Sequence, residues 1–354
     1  MPKSQAWTWR GILRTLAVAW MLTLAAPAWA ADHPIVIAHR GASGERPEHT
    51  LAAYRLAIAQ GADFIEPDLV ATRDGVLVAR HENEISQTTD VAAQPEFAAR
   101  RAARTIDGKP VEGWFTEDFT LAELKTLRTR ERLPALRPGN TRYDGRESIP
   151  TFQEVIDLAR REGAARGRPV GLYPELKHPA HFTAAGLPLE PRLLEALRRN
   201  RLDSRDAPVF VQSFEVAPLK ALRGKTRVRL IQLIAADEGP ADTQGLSPAR
   251  MLDPAGLAKI AAYADGVGVE KSLLATGRLV TDAHAAGLQV HAWTYRAENA
   301  FLPASLRRGD PADAGFAAAH GDLTAEVRAA LAQGVDGVFS DFPGIAVAAR
   351  DGGP

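Results

Sequence analysis

Titratable residues recur at the ends of apolar runs in this chain, so the search for chemistry starts there. Run 35–38 passes into His39-Arg40-Gly41-Ala42-Ser43-Gly44. Run 64–70 carries Glu66 and Asp68, run 76–80 leads to His81, and run 170–175 ends in Glu175 and continues to Lys177. Unpaired buried charge is costly, and a chain does not place it repeatedly in apolar runs without partners or a metal. Glu66 and Asp68 are two apart, so on a strand both side chains leave from one face. With Glu175 they make three carboxylates, and the chain has no cysteine. An all-oxygen set suits a hard divalent cation better than zinc, and both calcium and magnesium fit. His39 and His81 are acid–base candidates because imidazole titrates near neutral pH. Arg40 can hold phosphate oxygens in bidentate fashion. The glycines beside it either offer backbone amides or simply make a turn. No Gly-Lys-Ser/Thr follows them, so the run is not a P-loop.

The elements that must position these residues alternate. Residues 35–38, 64–70, 170–175, 209–213, 228–234, 266–269, 288–293 and 337–340 read as strands. Amphipathic stretches at 51–60, 151–161, 191–200, 254–264, 277–286 and 324–333 read as helices. Gly61, Gly287 and Gly334 follow three of these, as glycine does after a helix C-terminus. Strands alternating with helices predict an α/β fold with a parallel sheet, closed as a (β/α)8 TIM barrel; the alternative is a doubly wound open sheet. In a barrel the reactive residues sit at the carboxyl ends of the strands, where these are found. Two segments break the rhythm. Residues 76–80 form an extra short strand after a hairpin turn at Asp74-Gly75, and residues 82–150 then form a small insertion after strand two, with one helix at 120–128. Residues 296–322 read as a long loop after strand seven. Pro67, between the two strand carboxylates, has no N–H to give a sheet, so a local irregularity is expected there.

The ordered motifs resemble the glycerophosphodiester phosphodiesterases, most closely the secreted, periplasmic type. They are His39-Arg40-Gly41-Ala42-Ser43-Gly44, Pro47-Glu48-His49-Thr50, Glu66-Pro67-Asp68-Leu69, Asp74-Gly75 and His81-Glu82. Tyr173-Pro174-Glu175-Leu176-Lys177, Gln212-Ser213-Phe214 and Phe339-Ser340-Asp341-Phe342-Pro343 continue the likeness, which extends over residues 35–346. The resemblance implies a barrel with a small insertion after its second strand and hydrolysis of glycerophosphodiesters to glycerol 3-phosphate and an alcohol. It makes Glu66, Asp68 and Glu175 ligands of a divalent cation, calcium ahead of magnesium, with Glu48 close to that cluster. His39 and His81 match the general acid/base pair, and Arg40 and Lys177 the phosphate-holding cations. In the family scheme the substrate's own glycerol hydroxyl attacks phosphorus, and water then opens a cyclic phosphate. Phe214 and Trp293 either wall the glycerol moiety or pack the barrel mouth. Gln212 either bonds to substrate or closes the barrel's hydrogen-bond network. Asp341 reads as a loop cap and His49 as a residue that orients its neighbours, while His33, His178, His181, His284, His291 and His320 carry no assigned function.

Composition narrows the setting. The chain has 354 residues, with Lys plus Arg at 43 and Asp plus Glu at 43. No global field draws it to nucleic acid, and no stable membrane association is expected; the substrate is a small molecule, and oligomeric state is left open. Lys3, Arg10 and Arg14 precede an apolar stretch at 16–26 and then Ala28-Trp29-Ala30. That pattern is a cleaved signal peptide over residues 1–30, with the barrel in 31–354 and a periplasmic or secreted destination. The stretch is short against the roughly 20 apolar residues that span a bilayer. Zero cysteines excludes a disulfide framework and a thiol nucleophile. Two rivals are weaker. A sphingomyelinase D-like lipid phosphodiesterase shares the barrel and a similar His–Glu–Asp–His arrangement, but the long 82–150 segment and the lack of cysteine argue against it. A non-catalytic barrel would be expected to lose part of the set, yet His39, Glu66, Asp68, His81 and Glu175 are all present.

Overall fold

A computed structural model describes residues 1–3 and 33–353. The expected signal peptide therefore lies, apart from its first three residues, outside the described residues. The strands are β1 (Ile35–His39), β2 (Phe64–Glu66), β3 (Asp68–Ala71), β4 (Leu77–Ala79), β5 (Ala102–Ile106), β6 (Lys109–Gly113) and β7 (Gly171–Leu172). They continue with β8 (Glu175–Leu176), β9 (Phe210–Ser213), β10 (Arg229–Ile234), β11 (Gly266–Glu270), β12 (Gln289–Tyr295) and β13 (Gly337–Ser340). The helices are α1 (Leu51–Ala59), α2 (Leu121–Leu124), α3 (Phe152–Ala165), α4 (Pro179–Ala184), α5 (Leu189–Arg199) and α6 (Val216–Arg223). After them come α7 (Pro248–Leu252), α8 (Pro254–Ala261), α9 (Leu279–Ala285), α10 (Leu323–Ala332) and α11 (Pro343–Arg350).

The pairings close on themselves. β1 runs parallel to both β2 and β13, and β9 through β13 pair in parallel in sequence order. Between them, β2 pairs with β7, β3 with β8, and β8 with β9. β2 and β3 are one barrel strand broken at Pro67, and β7 and β8 another broken at Tyr173-Pro174. Among the described residues, eight such strands make the ring, with β4 added antiparallel to β3. The irregularity expected at Pro67 is thus a paired break in two neighbouring strands. The proline carbonyls remain in the ladder: Pro67 O accepts from Glu175 N and Pro174 O from Gln212 N, both at 3.0 Å.

Alternation along the strands sorts the core into two layers. Ile35, Ile37, Phe64, Tyr173, Phe210 and Phe339 fill the barrel interior, while Val36 and Ala38 face the surrounding helices. The Tyr173 and Phe210 rings stack at 5.0 Å, and Phe339 meets Tyr173 edge-on at 5.0 Å. Burial of each such side chain stabilises by about 2–3 kcal/mol. Gly171 is required here, since a Cβ at that position would lie 2.2 Å from the Phe64 ring. This plug blocks the barrel, and buried His291 of β12 joins it, with its Nδ1 2.6 Å from the Tyr173 hydroxyl.

Helix ends follow local chemistry. Thr151 and Glu154 form a capping box at α3, and the Thr50 hydroxyl accepts from Ala53 N at α1. Gly61, after α1, has φ +98°. The helix expected at 120–128 shortens to α2, beyond which Leu127 and Thr129 turn into contacts of the following loop. α6 and α11 were not expected. α6 contains Pro218 in its first turn and α11 opens with Pro343-Gly344, both of which read as breakers but are tolerated where the backbone N–H has no helical partner. Residues 80–151 carry the β5–β6 hairpin, α2 and several 3-10 turns. Residues 296–322 form the expected loop, with short 3-10 turns at Asn299–Phe301 and Ala304–Leu306. No helix of the described residues is long and apolar enough to cross a membrane.

Candidate active site

His39 ends β1, and its Nδ1 lies 2.6 Å from Asp341 Oδ1, just past β13. Asp341 Oδ2 in turn accepts from Arg137 at 2.5 Å and Arg296 at 2.9 Å. These cations, set against the cost of burial, hold the Asp341 carboxyl well below the usual range, so it is ionised and accepts the His39 Nδ1 proton. Burial, with Arg40 adding repulsion, pulls His39 down to about 4. His81 follows β4 and repeats the arrangement. Its Nδ1 shares a short hydrogen bond with Glu82, whose Oε2 accepts from Arg132 at 2.7 Å. Burial, Arg40 and Lys177 pull His81 down to about 3. Both imidazoles are thus neutral near pH 7, protonated on Nδ1, with an Nε2 lone pair engaged in no hydrogen bond.

Between them lies an acidic group. Glu66, Asp68 and Glu175 are all buried, and one carboxylate oxygen from each lies within 4.8 Å of the others. Arg40 N donates to Glu66 Oε2 at 2.8 Å, and Gln212 Nε2 to Glu66 Oε1 at 3.2 Å. His49, expected to orient its neighbours, is fully buried at φ +54° and sets its Nε2 2.8 Å from Asp68 Oδ2. Its Nδ1 is 2.7 Å from the Tyr54 hydroxyl. Lys177 Nζ bridges Glu175 Oε1 at 2.6 Å and Asp68 Oδ1 at 3.5 Å. Burial, then Asp68 and Glu175, push the Glu66 carboxyl well above its usual range. Burial pushes Glu175 to about 8, with Asp68 adding to it and Lys177 opposing. Against burial, Lys177 and His49 hold Asp68 well below the usual range. Like charges this close cannot all ionise without a further cation. Asp68 Oδ1 has no hydrogen-bond partner, and the donors are all oxygen. These residues fit a hard divalent ion.

A cavity of about 100 Å³ joins these parts. His39, Arg40, Glu66, His81, Glu175 and Lys177 line it. Phe214 and Trp293 form an aromatic wall at a ring separation of 5.7 Å, and Gln212 completes the base. Asp68 stands behind the lining. Every residue singled out for the site from sequence therefore converges here. Glu48 does not join the carboxylate group: Arg132 grips both its oxygens at 2.7 Å, and Arg40 reaches one at 3.1 Å. Asp341, read from sequence as a loop cap, instead carries the His39 hydrogen bond. Arg132 and Arg137 were not anticipated. Both come from the 82–150 segment, and each holds the carboxylate that orients one histidine. Their signal in the sequence was weak, because they sit among many exposed arginines.

Fold and mouth together define the class: a (β/α)8 barrel with an acidic candidate cation site between two carboxylate-paired histidines. Residues 39–345 match the glycerophosphoryl diester phosphodiesterase family, and the chain belongs to that family. A glycerophosphodiester phosphodiesterase of Arabidopsis thaliana is 35% identical over 335 residues, spanning 88% of this chain and 85% of that protein. One from Haemophilus influenzae is 31% identical over 264 residues, spanning 66% of this chain and 68% of its own. Among solved structures, an Oleispira antarctica phosphodiesterase in complex with the product sn-glycerol-3-phosphate has a TM-score of 0.60 at 25% identity, covering 90% of this chain and 97% of its own. A Silicibacter pomeroyi structure shares the fold with a TM-score of 0.65 at 24% identity, covering 91% of this chain and 94% of its own.

Proposed function

We propose that the protein is an exported, secreted or periplasmic, glycerophosphodiester phosphodiesterase. It cleaves glycerophosphodiesters to glycerol 3-phosphate and an alcohol, with a divalent cation, calcium ahead of magnesium. The observation that carries this reading is the convergence of two carboxylate-paired histidines on a buried triple-carboxylate group in one small cavity. The product complex of the Oleispira relative supports the substrate class.

His39 and His81 form the acid–base pair. One Nε2 accepts the proton of the substrate's glycerol hydroxyl as that oxygen attacks phosphorus. The other histidine acts as the imidazolium, which the negative charge of a bound phosphodiester favours, and gives its Nε2 proton to the departing alcohol oxygen as its bond to phosphorus breaks. Water then opens the cyclic phosphate with the roles exchanged. Arg40 and Lys177 hold the phosphate oxygens. Phe214 and Trp293 wall the glycerol moiety, and Gln212 fixes Glu66. Glu66, Asp68 and Glu175 would hold the cation, which supplies neutralisation of the charge growing on the phosphoryl oxygens. Residues 82–150 are read as an insertion after the second barrel strand, within one catalytic domain spanning 31–354. Residues 1–30 are read as the leader that directs export.

The test is release of glycerol 3-phosphate from glycerophosphocholine, first with EDTA and then with calcium or magnesium restored. Loss with chelator and recovery with calcium is expected. Turnover indifferent to EDTA would remove the cation from the scheme, and no release under any condition would overturn the assigned reaction.

A further inference from the structure

A second, larger cavity of about 520 Å³ opens beside His81 and shares Glu175, Lys177 and Phe214 with the first. Its far side is built by the β5–β6 hairpin and the loops after β9 and β10, and its charge is one-sided. Glu84, Asp107, Glu215 and Glu238 face Lys109 as the lone lysine away from the catalytic cluster among its described lining residues. Two of these acids are already matched. Lys109 pairs with Glu238 at 2.5 Å, and His178 Nδ1 lies 2.6 Å from Asp107 Oδ2.

Glu215 is different. It is 3% exposed, its Oε2 accepts the Ala180 N–H at 3.0 Å, and its Oε1 has no hydrogen-bond partner. Burial, and then Asp107 and Asp242, push its carboxyl up to about 8. The carboxyl thus keeps its proton near pH 7 with Oε1 orphaned, and a bound cation would favour the ionised carboxylate and complete it. Leu176, Val111 and Phe214 give the same cavity an apolar side for short carbon chains.

We propose, resting on the hydrolase reading above, that this cavity is the subsite for the departing alcohol and that Glu215 selects alcohols carrying an ammonium group. The cavity meets the catalytic one at His81, so a diester whose phosphate sits in the first extends its alcohol into the second. The ammonium supplies the positive charge and, where it bears hydrogens, the donor that Glu215 lacks. An uncharged alcohol fills the space but does not draw the carboxyl into its ionised, ion-paired form.

The experiment compares kcat/KM for glycerophosphoethanolamine, glycerophosphocholine and glycerophosphoglycerol in the wild type, Glu215→Gln and Asp107→Asn. The wild type should favour the cationic diesters by about tenfold, the order of one charge-assisted hydrogen bond. Glu215→Gln should bring the ratio near one, mainly through KM. Asp107 sits at an exposed turn that asparagine accepts, so Asp107→Asn should fold and lower the ratio by about threefold, because part of its charge is matched by His178. A wild type with no preference, or a preference unchanged in both variants, would overturn the proposal. Ethanolamine binding by calorimetry separates the two readings. Hydrolysis of no diester would strike the reaction, whereas ethanolamine bound equally by wild type and Glu215→Gln would strike the subsite alone.

Discussion

Each histidine of the site is held neutral and oriented by its surroundings. Burial keeps the imidazole neutral, and a carboxylate on Nδ1 fixes the tautomer that leaves Nε2 with its lone pair. Asp341 performs this for His39 at 2.6 Å. Asp341→Asn keeps the volume but can turn its amide N–H toward Nδ1, which favours the opposite tautomer. Turnover should fall by about 100-fold or more, with the fall in kcat rather than KM. Steady-state kinetics with a circular dichroism check of folding measures this, and an unchanged kcat would show that Asp341 only closes a loop. His39, His81, Glu66, Asp68 and Glu175 were legible because charged residues at the ends of apolar runs are conspicuous. Asp341 also follows an apolar run, but its link to His39 spans 302 residues and joins the first and last barrel strands. No local pattern encodes that pairing.

At the scale of elements, the break shared by β2–β3 and β7–β8 turns Glu66, Asp68 and Glu175 toward one point. Pro67 made the first break predictable, and Pro174 marks the second. The segment between β4 and α3 was readable as a departure from the βα rhythm, but its working parts were not. The β5–β6 hairpin turns at Asp107-Gly108, with φ +50° and +78°, a dipeptide suited to such a turn. It was missed because the flanking strands are largely exposed and lack clean apolar alternation. The segment is tied to the barrel by buried arginines. Arg137 Nε lies 2.6 Å from Glu298 Oε1, and another of its nitrogens 2.5 Å from Asp341 Oδ2. Arg137→Met would leave buried Glu298 without its cation and Asp341 with only Arg296 and His39, and a loss of about 3–5 kcal/mol is expected from chemical denaturation. His39 should also lose orientation, so kcat should fall even where the variant is fully folded. A variant as stable and active as the wild type would show that the segment docks by other contacts.

The whole molecule balances opposing titrations. Glu175 is raised from 4.5 to about 8, so the folded protein holds a proton that the unfolded chain has released. In chelator its contribution is therefore present at low pH and is lost as pH rises through about 8. His39 is lowered from 6.5 to about 4, so its contribution is present above pH 6.5 and is lost as pH falls toward 4. Metal-free protein should be most stable where the two windows overlap, between about pH 4.5 and 6.5. A divalent cation must displace carboxyl protons, so its affinity should rise between pH 6 and 8, by up to about tenfold per unit for each proton released. Thermal melts in EDTA and in calcium across that range test this. The calcium-induced rise in Tm should grow with pH, and a rise independent of pH would show that the carboxylates are ionised before the cation arrives.

The sequence by itself determined the alternation of strands and helices, the barrel class and many of the residues that gather at the small cavity. These are local matters: an apolar run buries, and a charge at its end is either paired or put to use. Tertiary structure alone decided that Asp341 orients His39, that Glu48 answers to Arg132 and Arg40 rather than to the carboxylate group, and that one oxygen of Glu215 is left without a hydrogen-bond partner. Except for the adjacent His81–Glu82 and nearby Arg40–Glu48 pairs, the hydrogen bonds involved join residues far apart in the chain, which only the tertiary fold brings together.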